Sequence, residues 1–156
     1  MSQGGVFLLI MALAAHNQQA KAEAVQQAET ACMAQALYYE ARSEGVRGQE
    51  AVAEVVLHRV HSGLHPKTIC GVVREPGQFS FLGDGSMLRQ LDVEAWDKAK
   101  ELSARIMRRE IVTSMTGRAL FYHTVDVRPD WADSMVMTAQ IGNHIFYRQA
   151  PKQRSS

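Results

Sequence analysis

The sequence predicts a small α+β domain in which helices come first and a small antiparallel sheet comes last. Apolar residues recur at helical spacing between residues 31 and 61, whereas they form short strand-like blocks between residues 119 and 148. A turn signal at 116–117 precedes those later blocks, and another at 142–143 separates the last two. With 156 residues, 46% of them hydrophobic and 21% charged, the chain is long enough to bury one core. We therefore expect a single domain.

The first segment is an apolar run of 11 residues, from Gly5 to Ala15. It is shorter than the ~20 residues of a spanning helix but suits the core of a signal peptide, and residues 20–22 offer a small-x-small cleavage site. We expect residues 1–22 to be a signal peptide and the protein to be exported to the periplasm, cell envelope or medium. Because residues 1–4 carry no Lys or Arg, an uncleaved anchor that associates with the membrane through residues 5–15 stays open.

Three helices are expected next. Residues 23–30 are polar and alanine-rich, which suits a linker or a helical lead-in, and the first helix occupies about residues 31–43. The second, about residues 47–61, is apolar almost all round and should be central. A third begins after Asp92 as N-cap.

The segments between and after these helices are more varied. Residues 64–68 form a loop, 69–74 are a helical turn or a strand, and 75–86 are a glycine-rich cleft wall. The alternating blocks predict strands at 119–123, 136–141 and 144–148, the last two as a hairpin. The folded domain should then cover residues 31–149, with a tail at 150–156.

Glu40 is a carboxylate on an otherwise apolar helical stripe. Met33, Ala36 and Glu40 fall at positions i, i+3 and i+7, on the face that should point inward. A glutamate there is either a structural ion pair with Arg42 or a general acid whose pKa burial raises. The spacing alone leaves both open.

Several separated blocks resemble one family, the bacterial cell-wall hydrolases of the spore-cortex-lytic (SleB/CwlJ-like) type. They occur in the family's order between residues 31 and 148. The blocks are Leu37-Tyr-Tyr-Glu-Ala-Arg-Ser-Glu-Gly45, residues 48–60, Ile69-Cys-Gly-Val-Val73, Gln78-Phe-Ser-Phe81 with Asp84-Gly85, Phe121-Tyr-His123, residues 127–131 and residues 141–148. The resemblance implies a lysozyme-like domain that cleaves the β-1,4 bond between MurNAc and GlcNAc in peptidoglycan, with Glu40 at the catalytic position.

The resemblance also implies a lytic transglycosylase, in which one glutamate acts first as acid and then as base and the product is a 1,6-anhydro sugar. A hydrolytic muramidase or glucosaminidase is the alternative, because most glycosidases use a second carboxylate. No spacing marks that partner among the candidates Glu44, Glu50, Asp84, Asp126, Asp130 and Asp133. A non-catalytic wall-binding module is a third possibility, although it needs no carboxylate on an apolar helix face.

Candidate substrate contacts follow from the same blocks. Polar side chains could donate hydrogen bonds to N-acetyl and lactyl groups, and aromatic side chains could offer flat faces to sugar rings. The expected substrate-binding residues are Tyr39, Gln78, Phe79, Ser80, Tyr122, His123 and Trp131. Phe79 could instead anchor its loop, and Trp131 could instead fill the core.

Cys32 and Cys70 are the two cysteines of the chain. In an exported protein they allow one disulfide, which would close a 39-residue loop and stabilise the fold by about 3 to 4 kcal/mol. Two buried free thiols are the alternative. Relatives in the resembled family often have a second cysteine pair, where this chain has Gly77 and Gly83.

No cofactor or metal is expected. His58, His61 and His65 fall at i, i+3 and i+7, but Gly63 and Pro66 interrupt the helix that would bring them together. The balance of 17 Lys and Arg against 16 Asp and Glu offers no basic surface for nucleic acid. We expect a monomer whose partner is the peptidoglycan glycan strand.

Overall fold

The computed structural model describes residues 3–79, 81, 85, 91–112 and 114–151, with side chains from residue 9 onward. Within these residues, four α-helices precede a three-stranded antiparallel sheet, so the predicted α+β class is confirmed. The helices are α1 (Gln3–Ala41), α2 (Gly45–Ser62), α3 (Ile69–Val73) and α4 (Val93–Met107). The strands are β1 (Phe121–Thr124), β2 (Met135–Ile141) and β3 (His144–Gln149), with a 3-10 helix at Asp130–Ser134.

Helix α1 is much longer than the first helix expected from the sequence. It runs without a break through residues 23–30, which are helical rather than an irregular linker. Ala, Gln and Glu dominate that stretch and all favour helix. Residues 9–28 are exposed, and close packing begins near residue 29. Within the described part of the chain, no helix has both the length and the apolarity needed to cross a membrane.

Helix α2 is central, as predicted, because it is buried on two sides. Val52 and Val56 belong to the main core with α1, α3 and α4. Ala51 and Val55 belong to a second cluster that includes Phe146 of the sheet. Helix α2 therefore joins the helical layer to the sheet and places residues of both near the end of α1.

A disulfide joins Cys32 of α1 to Cys70 of α3, which confirms the predicted pairing. The same junction settles the undecided segment 69–74 as a helix. The Glu29 carboxylate accepts hydrogen bonds from the amides of Ile69 and Cys70, and the Thr68 hydroxyl accepts one from Gly71. Because Glu29 lies 40 residues away, this capping could not be inferred from the local sequence.

The sheet has the order β1-β3-β2, which places β1 at one edge. Strands β2 and β3 form the predicted hairpin. A residue outside the hairpin stabilises its turn. The Glu44 carboxylate accepts hydrogen bonds from the Asn143 amide at 2.7 Å and from the Asn143 side chain at 3.3 Å. Glu44 immediately precedes α2, so this contact fixes the sheet relative to the helices.

Candidate active site

A cavity of about 590 Å³ lies where the C-terminal turn of α1 meets α2, residues 77–79, the edge strand β1 and the 3-10 helix. Its volume is in the range of small-molecule sites. The described residues that line it are Glu40, Arg59, Gly77, Gln78, Phe79, Phe121, Tyr122, His123, Thr124, Pro129, Trp131, Met135 and His144. All four residues of β1, which is an edge strand, are among them.

Glu40 is one of these lining residues. It is half-buried at the end of α1, while Met33 and Ala36 on its stripe are fully buried. Among the described residues that line the cavity, Glu40 is the only carboxylate. A glutamate so placed is within reach of a ligand and is partly shielded from water.

Tyr122 projects from β1 toward Glu40. Its hydroxyl lies 3.5 Å from Glu40 Oε2, at the outer limit of a hydrogen bond. Burial is the main cause that raises the pKa of Tyr122, and the nearby charge of Glu40 adds to it. Tyr122 therefore stays protonated and can donate its proton in a hydrogen bond to the carboxylate.

Arg59 of α2 is a lining residue that the sequence analysis missed. Its side chain is only 3% exposed, Nε donates to the Leu120 carbonyl oxygen at 2.7 Å, and its guanidinium carbon lies 5.7 Å from the centre of the Phe79 ring. Desolvation lowers the pKa of Arg59, whereas Tyr122, Glu75 and Glu40 act in the opposite direction. The site thus contains a buried guanidinium group.

His144 of β3 was also missed. It is 3% exposed, its ring meets that of Tyr122 edge to face at 5.0 Å, and its Nδ1 is buried without a hydrogen-bond partner in the described structure. Burial lowers the pKa of His144, with Glu44 opposing the shift and His123 adding to it. His144 therefore faces the cavity as a neutral ring at neutral pH.

An aromatic cluster forms one wall of the cavity. The Trp131 ring centroid lies 5.8 Å from that of Phe121, 5.7 Å from that of His123 and 5.5 Å from that of Tyr147. Trp131 is itself half-buried, so part of its ring is accessible. Such a surface suits the apolar face of a sugar ring.

His123 is held by protein contacts on both nitrogens. Nδ1 lies 2.8 Å from the Thr124 carbonyl oxygen and must donate to it, so in the neutral ring Nε2 accepts from the Tyr147 hydroxyl at 3.1 Å. A hydrogen bond from His123 to substrate stays a prediction, and in this geometry it requires Nε2 to exchange its partner.

Of the other predicted substrate contacts, two line the cavity and one described residue does not. Gln78 lines the cavity and is half-buried. Phe79 lines it too, but it is 3% exposed and belongs to the main core. Tyr39 is not among the lining residues, and its ring stacks on Phe81 at 4.6 Å. Ser80 lies outside the described residues.

The alternative carboxylates are placed elsewhere. Glu44 binds the hairpin turn, Asp133 pairs with Arg128 at 2.6 Å, and Glu50 lines a different cavity beside α2. Asp126 and Asp130 are exposed. The remaining candidate, Asp84, lies outside the described residues.

Arg42 and the histidine series have contacts of their own. The Arg42 guanidinium lies 4.9 Å from the centre of the buried Tyr38 ring, and Arg42 itself is exposed just after the end of α1. His61 bonds to the Leu57 carbonyl oxygen and His65 to Glu75, each through Nδ1. In the described structure no three His, Cys, Asp or Glu side chains are grouped as metal ligands.

A helical domain with a small antiparallel sheet, in which one glutamate at a helix end faces an aromatic-walled cavity, defines a lysozyme-like domain. The chain belongs to the Cell Wall Hydrolase family, whose profile matches residues 43–147. The family resemblance inferred from the sequence is therefore confirmed.

Relatives and solved structures agree with this assignment. The spore cortex-lytic enzyme of Oceanobacillus iheyensis is 39% identical over 115 residues, which are 73% of this chain and 39% of that protein. The spore cortex-lytic enzyme of Bacillus subtilis is 33% identical over 125 residues, or 73% and 35% of the two chains. The chain thus spans well under half the length of these relatives.

The solved structures match more completely. The catalytic domain of the Bacillus cereus SleB protein is 33% identical with a TM-score of 0.63, and the match covers 77% of this chain and 89% of that one. The catalytic domain of the germination-specific lytic transglycosylase SleB from Bacillus anthracis is 34% identical with a TM-score of 0.61, with coverage of 77% and 93%. This chain is therefore similar to the catalytic portion of such proteins.

Proposed function

We propose that this protein cleaves the β-1,4 bond between MurNAc and GlcNAc in peptidoglycan and that Glu40 is its general acid. The observation that carries the proposal is the cavity itself, since Glu40 is the only carboxylate among its described lining residues. Membership of the Cell Wall Hydrolase family supports the substrate class. The names of the similar proteins support cleavage rather than binding alone.

The mechanism that fits a single carboxylate is that of a lytic transglycosylase. Protonated Glu40 gives its proton to the glycosidic oxygen as the bond to the anomeric carbon breaks, and positive charge develops on the sugar. The Glu40 carboxylate then accepts the proton of the muramic acid 6-hydroxyl while that oxygen bonds to the anomeric carbon. Glu40 ends protonated, no water is consumed, and the product carries a 1,6-anhydro ring.

The lining residues supply the other functions that this reaction needs. Tyr122 can orient the Glu40 carboxyl group through its hydroxyl. Trp131 can pack against a sugar ring, and Gln78 can donate to an N-acetyl or lactyl oxygen. Each assignment rests on position in the cavity and on the chemistry of the side chain.

The N-terminal segment fits an exported enzyme. Leu9, Ile10, Met11 and Leu13 are between 57% and 64% exposed on α1, which is unfavourable for a permanently aqueous helix. A signal sequence removed near Glu23 accounts for their exposure, and peptidoglycan lies outside the cytoplasmic membrane. We include export in the proposal, with an uncleaved membrane-associated helix as the competing form.

Replacement of Glu40 by Gln tests the central assignment. Glutamine retains the size but has no acidic proton, so we expect a folded protein that binds peptidoglycan and cleaves it at least about a hundredfold more slowly. Glu101→Gln, on the exposed surface of α4, is the matched control and should behave as wild type. Normal cleavage by the Glu40 variant would show that Glu40 is a structural acid.

Mass spectrometry of the wild-type products distinguishes the two reactions. We expect 1,6-anhydromuramyl ends, which are one water lighter than hydrolysed ends. Reducing ends together with loss of activity in Glu40→Gln would retain Glu40 but identify a hydrolase with a second carboxylate. Asp84 is then the first residue to replace.

A further inference from the structure

We propose that His144 determines specificity by donating a hydrogen bond from Nε2 to the N-acetyl carbonyl oxygen of a sugar beside the scissile bond. This role rests on the proposed function and adds a recognition contact to it. Three features of His144 support it: the residue lines the cavity, its other ring nitrogen is enclosed without a partner, and the ring is fixed in place.

His144 offers one nitrogen to the cavity. The residue lines the cavity although it is only 3% exposed, and Nδ1 is buried without a hydrogen bond to any described residue. Nε2 is therefore the ring nitrogen left to meet a ligand. Burial of a polar ring is costly unless hydrogen bonds offset it, so a contact made by Nε2 with a ligand would repay part of that cost.

The surroundings of the ring favour the tautomer that carries its proton on Nε2. A neutral imidazole has one N–H donor and one bare acceptor nitrogen. Buried N–H groups without an acceptor are rarer in proteins than acceptors without a donor, so the enclosed Nδ1 is the bare nitrogen. Burial also lowers the pKa of His144, which keeps the ring neutral. The cavity thus contains an uncharged Nε2–H donor.

The position of His144 is fixed before a ligand binds. His144 is the first residue of β3, and the residue before it is held twice. The Asn143 amide donates to Glu44, and the Asn143 carbonyl oxygen accepts from the Val125 amide at 2.8 Å. The imidazole meets the Tyr122 ring edge to face at 5.0 Å. A donor held in this way loses little conformational entropy on binding.

His144 also lies near the proposed acid. The Tyr122 ring that it contacts has its hydroxyl 3.5 Å from Glu40 Oε2, so one tyrosine side chain separates His144 from Glu40. A sugar whose glycosidic oxygen reaches Glu40 therefore brings its own substituents close to His144. The nearest of these to the reacting bond is the N-acetyl group, which is carried by the ring carbon next to the anomeric carbon.

A neutral carbonyl oxygen is the acceptor that best matches this donor. Sugar hydroxyls donate as well as accept, so they do not require a donor from the protein, whereas an amide carbonyl oxygen only accepts. Both sugars of peptidoglycan carry an N-acetyl group with such an oxygen. His144 would therefore distinguish N-acetylated from N-deacetylated glycan.

A purely structural role predicts a different result. His144 packs against Tyr122, so it could act only by keeping that ring in place. Phenylalanine would fill much of the same space, and any loss on replacement would be equal for glycan with and without N-acetyl groups. The comparison of the two substrates therefore separates recognition from packing.

The test measures kcat/KM of the full chain on soluble glycan strands before and after N-deacetylation. We expect His144→Phe to lose about five- to tenfold on acetylated strands, mainly through KM, as for one lost hydrogen bond to substrate. On deacetylated strands the variant and wild type should agree within about twofold, because the acceptor is absent from both reactions. His61→Phe, which replaces an exposed histidine of α2, is the control.

Two amide variants locate the donor. The amide nitrogen of glutamine can reach the place of Nε2, so His144→Gln should recover most of the lost kcat/KM. The shorter His144→Asn brings its amide only to the place of Nδ1 and should not recover it. Wild-type activity of His144→Phe on acetylated strands, or an equal loss on both kinds of strand, would overturn the proposal.

Binding in the Glu40→Gln background separates this proposal from the proposed function. We expect the addition of His144→Phe to weaken binding of acetylated strands about five- to tenfold. An unchanged affinity overturns the role of His144 even if Glu40 is the acid. Full activity of Glu40→Gln overturns the proposed function instead. Circular dichroism confirms that each variant is folded, and His144→Asn replaces His144→Phe in the comparison if the latter is not.

Discussion

The hydroxyl of Tyr122 links the sheet to the proposed acid, since it lies 3.5 Å from Glu40 Oε2. We expect Tyr122→Phe to reduce kcat on peptidoglycan about fivefold, because the loss of one hydrogen bond of about 1 kcal/mol leaves the carboxyl group less well oriented. Tyr39→Phe is the matched control, since Tyr39 does not line the cavity.

Thermal unfolding of both tyrosine variants should stay near that of wild type, because phenylalanine retains the ring packing. Equal activity of Tyr122→Phe and Tyr39→Phe on peptidoglycan would contradict a role for the Tyr122 hydroxyl.

The sequence predicted some residues of the site and not others. Glu40 stood out because a carboxylate interrupted an apolar stripe and because the surrounding blocks resembled a family. Arg59 gave no such signal, since an arginine near a helix C-terminus ordinarily balances the helix dipole at the surface. Its burial depends on the approach of Leu120, 61 residues later. His144 likewise turns inward only because of the strand register.

Glu44 connects helix α2 to the turn between β2 and β3, so its replacement tests the contact between helices and sheet. Its carboxylate holds the amide and side chain of Asn143 in the hairpin turn, while the residue itself begins the connection into α2. We expect Glu44→Ala to lower the free energy of unfolding by about 1.5 to 3 kcal/mol, as for a hydrogen bond to a charged group. Chemical denaturation against Glu101→Ala, an exposed acid on α4, measures it.

Activity separates this role from catalysis. Glu44→Ala should cleave peptidoglycan at nearly the wild-type rate per folded molecule, because Glu44 is not among the cavity-lining residues. A loss of a hundredfold or more at a temperature where the variant is fully folded would identify Glu44 as the second carboxylate of a hydrolase.

Whole elements were predictable where periodicity was strong. The hairpin strands were placed within about one residue because apolar residues and the turn at 142–143 fixed their register. Helix α3 was left undecided because its amides are capped by Glu29 from another helix. The length of α1 was underestimated because residues 16–30 favour helix but have no apolar face.

The class of the whole molecule followed from the order of its patterns, since helical periodicity precedes alternation along the chain. The cavity could not be derived in the same way. Its wall combines the end of α1, the middle of the chain and the edge strand, and packing of α2 against both layers brings them together. Only the family resemblance linked these blocks before the structure did.

The long N-terminal half of α1 gives the prediction for the whole molecule. Residues 9–22 are exposed, whereas the contacts of the folded part begin at Glu29 and Cys32. We expect a chain that begins at Glu23 to have the same melting temperature and the same activity on purified peptidoglycan as the full chain. Expressed in a bacterium, it should stay in the cytoplasm, whereas we expect the full chain to be exported.

Leu13→Arg in the full chain is the matched control for export, because it places a charge in the apolar run without touching the folded domain. Cell fractionation and N-terminal sequencing measure the outcome. An N-terminus near Glu23 on the exported protein indicates a cleaved signal peptide. An intact Met1 in the membrane fraction would contradict cleavage and favour the uncleaved anchor. If the chain that begins at Glu23 unfolds at a lower temperature than the full chain, residues 1–22 belong to the fold.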